Sequence, residues 1–194
     1  MAEKLIPTPS QTVGPFFHLG LDRPDWADLA RGNPAGERIA VDGRILDGDG
    51  APVPDAFLEL WQANAAGRYA HPEDPQTEKP LDPGFTGFGR AFTDGDGRFR
   101  FATIRPGPVP GRGNSLQAPH IEVAIFARGL LKQLYTRIYF ADERANEEDP
   151  VLLSIEDEGA RRTLLAQRRE EGGRASYRFD IILQGAGETA FFDL

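Results

Sequence analysis

Histidine 120 is the side chain of this sequence that is best placed to do chemistry. The chain contains three histidines, His18, His71 and His120, and no cysteine. Disulfides and thiolate metal sites are therefore excluded, and a metal would need His, Tyr or carboxylate ligands. His120 opens an apolar segment, and Glu122 follows two residues later, so in a strand both side chains project from one face. This pair is half of a metal site, but two ligands hold a metal poorly, and spacing alone favours an ordinary strand with one polar face.

Tyr69 is a second candidate, because tyrosinate is a hard oxygen ligand. Residues 58–69 predict a strand that leads into a glycine turn, with Tyr69 on the loop beyond the turn. Taken alone, this pattern equally describes a surface tyrosine. No Ser-His-Asp or Cys-His arrangement can be argued from the histidines.

An Asp-Gly-Asp-Gly sequence occurs twice, at residues 47–50 and 94–97. A calcium loop of the EF-hand type needs an oxygen ligand at its fifth position and Glu at its twelfth. The second copy has Arg98 and Arg105 there, and the first copy fails in the same way. Both sequences are therefore interpreted as hairpin turns.

Short strands at regular spacing dominate the rest of the chain. We predict a short helix over residues 26–31 and a longer one over 159–170, with Leu164 and Leu165 facing inward. Residues 90–93 and 98–104 are predicted to pair as a hairpin. The predicted strands cover residues 38–45, 56–62, 90–93, 98–104, 120–127, 133–140 and 177–183. This pattern predicts an all-β fold, a β-sandwich of two sheets with an irregular N-terminal arm and one or two short helices.

Charge and hydropathy exclude several classes of function. The net charge is −8, so the chain lacks the basic surface that nucleic-acid binding requires. An anionic substrate would need a cation placed locally near its site. No apolar run approaches the length of a membrane span, and residues 1–7 form no apolar signal core, so we expect a cytoplasmic protein without a membrane partner.

Several stretches together resemble the intradiol ring-cleavage dioxygenases. Each stretch is weak alone, but their order and spacing cover nearly the whole chain. They are residues 59–69, 88–90, 93–97, 103–108, 118–121 and 177–181.

The resemblance implies a ferric site that this chain has lost. In that family Fe(III) is held by two tyrosines and two histidines, and the matching residues are Tyr69, Val109, His120 and Glu122. Gln117 matches an arginine of the catalytic pocket. Val109 cannot bind a metal, so the resemblance implies no catalytic residue and no metal ligand in this chain.

This pattern matches the heteromeric members of the family, in which an iron-bearing beta subunit pairs with a similar alpha chain that lacks the metal. Here Fe(III) would be held by the partner beta chain, and the substrates would be O2 and a small aromatic diol. The resemblance implies that Arg128, Thr12, Gly14, Pro15 and Phe16 form substrate-binding walls at the partner's pocket. A solvated arginine at a strand end is the simpler interpretation of Arg128.

The same resemblance predicts two segments. Residues 1–36 would form an N-terminal arm that reaches the partner chain, and residues 37–194 would form the sandwich. Two alternatives remain open: a self-sufficient non-haem metalloenzyme that uses Tyr69, His120 and Glu122, and a non-enzymatic, transthyretin-like binding sandwich.

Overall fold

The chain folds as an all-β sandwich, as the strand pattern predicts. The computed structural model describes residues 6–193, so residues 1–5 of the predicted arm and residue 194 lie outside the described part. The strands are β1 Arg38–Leu46, β2 Phe57–Trp61, β3 Phe88–Phe92, β4 Arg98–Ile104, β5 Val109–Pro110, β6 Leu116–Gln117, β7 His120–Phe126, β8 Leu134–Phe140, β9 Leu165–Glu171, β10 Arg174–Arg178 and β11 Ile181–Ile182.

Helices are few and short. The α-helices are α1 Phe16–Leu21, α2 Pro150–Leu153 and α3 Glu158–Arg162, and 3₁₀ turns cover Pro24–Ala27 and Arg144–Glu148. The predicted helix over residues 26–31 is therefore a shorter 3₁₀ turn that begins earlier, with proline at its start. No helix within residues 6–193 combines the length and apolar character needed to cross a membrane.

The strands form two layers around one apolar core. One layer runs β3, β2, β7, β8, and the other contains β4, β1 and β10, with β9 joining the two. β5 and β6 form a separate small hairpin. Alternate residues of β7, namely Ile121, Val123 and Ile125, are almost fully buried in the core. The opposite face of β7 therefore carries the polar side chains, as the alternation predicts.

The predicted helix over residues 159–170 is wrong over most of its length. Helix α3 ends at Arg162, and residues from Leu165 onward pair with both β8 and β10. Gly172 and Gly173, with φ of 57° and 76°, make the tight turn from β9 to β10. The apolar and basic spacing resembles a helix, but backbone pairing across the sandwich decides the conformation.

Both Asp-Gly-Asp-Gly sequences form turns. The first closes a short antiparallel pairing in which Leu46 lies opposite Pro52, but the second does not join a hairpin. Asp94 accepts hydrogen bonds from the backbone N–H of Asp96 and Arg98, which closes the turn locally. The flanking strands then separate, because β3 pairs with β2 in one layer and β4 pairs with β1 in the other. The hairpin predicted over residues 90–104 is therefore wrong, and the turn connects the two layers.

The predicted last strand, residues 177–183, is interrupted. β10 pairs with the first half of β1, and β11 pairs with its end. Between them the backbone carbonyl of Phe179 comes so close to Gly43 that a Cβ there would lie 1.8 Å from the carbonyl oxygen. The strand shifts at this point, where Asp180 accepts a hydrogen bond from the backbone N–H of Arg44.

Candidate functional site

The family's ligand positions meet in one cavity of about 590 Å³. Strand β7 supplies His120 and Glu122, and hairpin β5–β6 supplies Val109, which pairs with Gln117. The cavity is lined by Trp61, Tyr69, His71, Glu73, Asp74, Pro75, Gln76, Val109, Pro110, Gln117, His120, Glu122 and Arg137. The four positions that match the family's ligands therefore lie together, although the residue types differ at Val109 and Glu122.

Tyr69 is held as a neutral phenol at the mouth of this cavity. Its ring stacks on Trp61 with centroids 5.9 Å apart, and its backbone N–H donates to Asp74 at 2.7 Å. Burial, followed by the negative charge of Glu122, raises the pKa of Tyr69 to about 12. The environment therefore disfavours the tyrosinate that a ferric site requires.

His120 is oriented by a backbone carbonyl. Its Nδ1 lies 2.7 Å from the carbonyl oxygen of Ala118, and a carbonyl can only accept, so Nδ1 donates. Its Nε2 faces Glu122 Oε1 at 3.6 Å. That separation is too long for a hydrogen bond. The ring is nearly fully buried, so its orientation is fixed.

Arg137 on β8 is the residue of the cavity that the sequence patterns did not identify. It lies opposite Glu122 in the strand register, and its Nη2 contacts Glu122 Oε1 at 2.6 Å. Its Nη1 donates to Gln117 Oε1 at 2.7 Å. The one available signal was a single charged residue in the middle of an apolar strand.

Glu122 and Arg137 each stabilise the charged form of the other. Burial alone would raise the pKa of the Glu122 carboxyl, but contacts with His120 and Arg137 outweigh burial and hold that pKa below its usual value. Burial likewise opposes the charge of Arg137, and Glu122 outweighs it, so the arginine pKa is raised. The cavity therefore holds a stable ion pair.

Asp149 supports the backbone next to His120, and it was also not singled out by the sequence analysis. It is fully buried, and its Oδ1 accepts hydrogen bonds from the Tyr139 hydroxyl and from the first turn of α2. Its Oδ2 accepts from the backbone N–H of Ala118, the residue that orients His120. The available signal was Asp immediately before Pro150, a typical helix N-terminus.

These residues do not fit ferric iron. Val109 is a hydrocarbon, and Glu122 is engaged by Arg137. Within residues 6–193, no three His, Cys, Asp or Glu side chains cluster closely enough to hold a metal ion.

The residues expected at a partner's pocket lie elsewhere, at the other end of β7. Thr12 Oγ1 accepts a hydrogen bond from the backbone N–H of Gly129 at 2.8 Å, which attaches the arm to the turn that carries Arg128. Arg128 is 62% exposed and contacts Asp55 at 3.3 Å. β7 spans about 20 Å at about 3.3 Å per residue, so this edge is remote from the cavity around His120.

Gly14, Pro15 and Phe16 form the start of α1 at the same edge. Pro15 is the N-cap of the helix, and the carbonyl of Gly14 accepts from the backbone N–H of Phe17. Phe17 stacks on Phe57 with centroids 5.7 Å apart, whereas Phe16 is 81% exposed. The structure thus brings Thr12, the start of α1 and the Arg128 turn together on one edge. Whether this edge contacts substrate remains a prediction.

Comparisons with known proteins agree with this geometry. A protein-family model described as a dioxygenase matches residues 13–185. The protocatechuate 3,4-dioxygenase alpha chain of Pseudomonas putida is 44% identical, and the match covers 100% of both chains. The protocatechuate 3,4-dioxygenase beta chain of Burkholderia cepacia is 43% identical over 83% of this chain and 70% of that relative.

A solved structure extends the likeness to the fold. The dioxygenase domain of a dioxygenase and carbohydrate-binding protein fusion from Streptomyces sp. SirexAA-E is 29% identical, with a TM-score of 0.62, covering 95% of this chain and 100% of that one. The matched residues span both layers of the sandwich and the cavity at the start of β7. The chain therefore belongs to the intradiol ring-cleavage dioxygenase family.

Proposed function

We propose that this chain is the non-catalytic alpha-type subunit of a protocatechuate 3,4-dioxygenase. The observation that carries the proposal is the altered ligand set: the cavity keeps Tyr69 and His120, but it has Val109 and the Glu122–Arg137 ion pair at the remaining positions. The 44% identity to an alpha chain along the whole length supports the same assignment.

Intradiol dioxygenases are non-haem iron enzymes, and we assign the Fe(III) to a beta-type partner chain. The reaction would join O2 to 3,4-dihydroxybenzoate and open the ring between its two hydroxyl-bearing carbons, giving 3-carboxy-cis,cis-muconate. All atoms of both substrates are kept in the product. This chain would contribute the walls and one positive charge, while the chemistry proceeds on the partner.

The edge formed by Thr12, Gly14, Pro15, Phe16 and Arg128 is the part of this chain that we propose to face the partner's pocket. Exposed apolar side chains and an exposed cation occur side by side at this edge. We propose that residues 1–36 act as the arm that reaches the partner and that residues 37–194 form the sandwich.

The two alternatives are less well supported. A self-sufficient metalloenzyme using Tyr69, His120 and Glu122 would need the carboxylate that Arg137 engages. A transthyretin-like binding sandwich does not account for the ligand positions collected in one cavity.

Co-expression with a beta-type partner tests the proposal. The isolated chain should be colourless and inactive, and the co-purified pair should be red-brown, carry one iron per pair and convert 3,4-dihydroxybenzoate. A tyrosinate-to-iron absorption band with one iron in the isolated chain would overturn it. If the isolated partner turned over substrate as fast as the pair, this chain would not contribute to the active site as proposed.

A further inference from the structure

Three side chains with oxygen or nitrogen atoms that could bind a metal lie in the cavity at the start of β7. Tyr69, His120 and Glu122 all line it, and Nε2 of His120 lies 3.6 Å from Glu122 Oε1. Metal–ligand distances of about 2.0–2.1 Å place neighbouring ligands about 3 Å apart, so this pair lies close to the spacing of two ligands.

The orientation of His120 is also that of a ligand. Metal-binding histidines typically donate their second ring N–H to a backbone carbonyl or a carboxylate, which fixes the ring. Here Nδ1 donates to the Ala118 carbonyl, and Asp149 holds the backbone of Ala118 in place. The support around the ring is therefore present although the full ligand set is not.

Arg137 supplies the positive charge that neutralises the Glu122 carboxylate in this cavity. Its guanidinium contacts Glu122 at 2.6 Å and Gln117 at 2.7 Å, with the side chain only 16% exposed. A guanidinium cannot lose its proton in a protein, so the charge is permanent. At this distance it repels any cation that approaches Glu122.

We propose that the guanidinium of Arg137 takes the place of a metal cation in this cavity and keeps metal ions out of it. Metal exclusion is then an active property of this chain, in addition to the loss of ligands at Val109 and Glu122. The inference concerns this cavity alone and does not depend on which partner the chain has.

Substitution of Arg137 in the full-length chain tests this. Arg137→Gln removes the charge and keeps an amide donor for Gln117, and Arg137→Lys keeps the charge. Each protein is titrated with Zn²⁺ by calorimetry and with Co²⁺ by visible absorption, and its unfolding temperature is followed with and without metal. If the chain can be purified only together with its partner, the metal content of the variant complex is compared with that of the wild-type complex, and the excess is assigned to this cavity.

We expect Arg137→Gln to bind one metal per chain at least ten-fold more tightly than the wild type, with a metal-dependent rise in unfolding temperature. Arg137→Lys should behave as the wild type. The double variant Arg137→Gln/Glu122→Gln, which leaves no unpaired carboxylate, should fold and bind no metal at this site. Equal metal affinity in the wild type and a folded Arg137→Gln would overturn the proposal.

Poor folding of Arg137→Gln is also informative, because it leaves the Glu122 carboxylate without its partner. Folding that is recovered on adding Zn²⁺ supports the proposal. A chain that stays unfolded with Zn²⁺, while the double variant folds, contradicts it.

Discussion

At the scale of single residues, this chain separates two roles that an autonomous enzyme of the family would combine. The cavity around His120 keeps the architecture of a metal site but contains an ion pair. The exposed cation, Arg128, lies at the opposite end of β7. Its contact with Asp55 is solvent-exposed, and such pairs contribute little to stability, so Arg128 is available to another charge.

Arg128→Ala tests whether that charge serves the substrate. In the assembled enzyme we expect KM for 3,4-dihydroxybenzoate to rise by about ten-fold, because a sheltered hydrogen bond to a charged group is worth about 1.5–3 kcal/mol and 1.4 kcal/mol is a factor of ten. Arg128→Lys should retain most of the affinity. Steady-state kinetics with catechol, which has no carboxylate, is the control.

Equal losses for both substrates would show that Arg128 supports the loop or the subunit interface. No change with either substrate would identify it as a solvated arginine and refute the assignment.

Asp74 is a residue whose ionisation should contribute to stability, because it organises the loop that carries Tyr69. Burial would raise the pKa of its carboxyl, but hydrogen bonds from the backbone N–H of Gln76 and Tyr69 outweigh this and lower the pKa. A lowered pKa in the folded state stabilises the protein above the ordinary carboxyl pKa. That stabilisation is lost as the pH falls through the folded-state pKa.

We therefore expect Asp74→Asn to unfold at lower urea concentration than the wild type at pH 7, with the difference shrinking below about pH 4, near the ordinary carboxyl pKa. Urea unfolding of both proteins across this range measures it. If the difference in stability between the two proteins did not change with pH, the charge of the Asp74 carboxylate would not be what stabilises the loop.

At the scale of elements, β9 connects the two layers of the sandwich. It pairs with β8 through Leu165 and Ala166 and with β10 through its later residues, so it joins the two layers. Its second half is exposed, and neither burial nor an alternating apolar pattern marks it as a strand. The Gly172-Gly173 turn therefore determines where the chain reverses.

Gly172→Ala and Gly173→Ala should each lower the free energy of unfolding by about 1 kcal/mol, because a left-handed φ is unfavourable for a residue with a Cβ. Gly95→Ala is the matched control, since Gly95 has no positive φ and a Cβ there meets nothing within 4 Å. Chemical denaturation of the three variants provides the measurement. A control that is as destabilised as the hairpin variants would show that the backbone conformation is not the cause.

At the scale of the whole molecule, the exposed apolar side chains concentrate on the arm. Ile6 is 91% exposed, Phe16 81% and Leu19 78%. The C-terminal Phe191 and Phe192 pack partly buried against the sandwich. The edge formed by Thr12, α1 and the Arg128 turn is therefore the surface at which we expect a partner to bind.

Expressed alone, the chain should self-associate through this edge, and co-expression with the partner should keep it in a defined complex. Replacing Phe16 and Leu19 by serine should reduce self-association and weaken the complex together, as sedimentation would reveal. The matched control is Leu116→Ser on the remote β6, where the side chain is 62% exposed. A wild-type chain that sediments as a stable monomer without affinity for the partner contradicts this prediction.

The sequence by itself determined the all-β class, the position of most strands and the loss of ligands at Val109 and Glu122. The class and the strands follow from alternation along single segments, which can be read locally, and the lost ligands follow from the resemblance to the intradiol dioxygenases. The Arg137–Glu122 pair, the strand β9 and the separation of β3 from β4 depend on which segments lie side by side. Register between distant strands is set by packing of the whole sandwich, so only the tertiary structure could decide them.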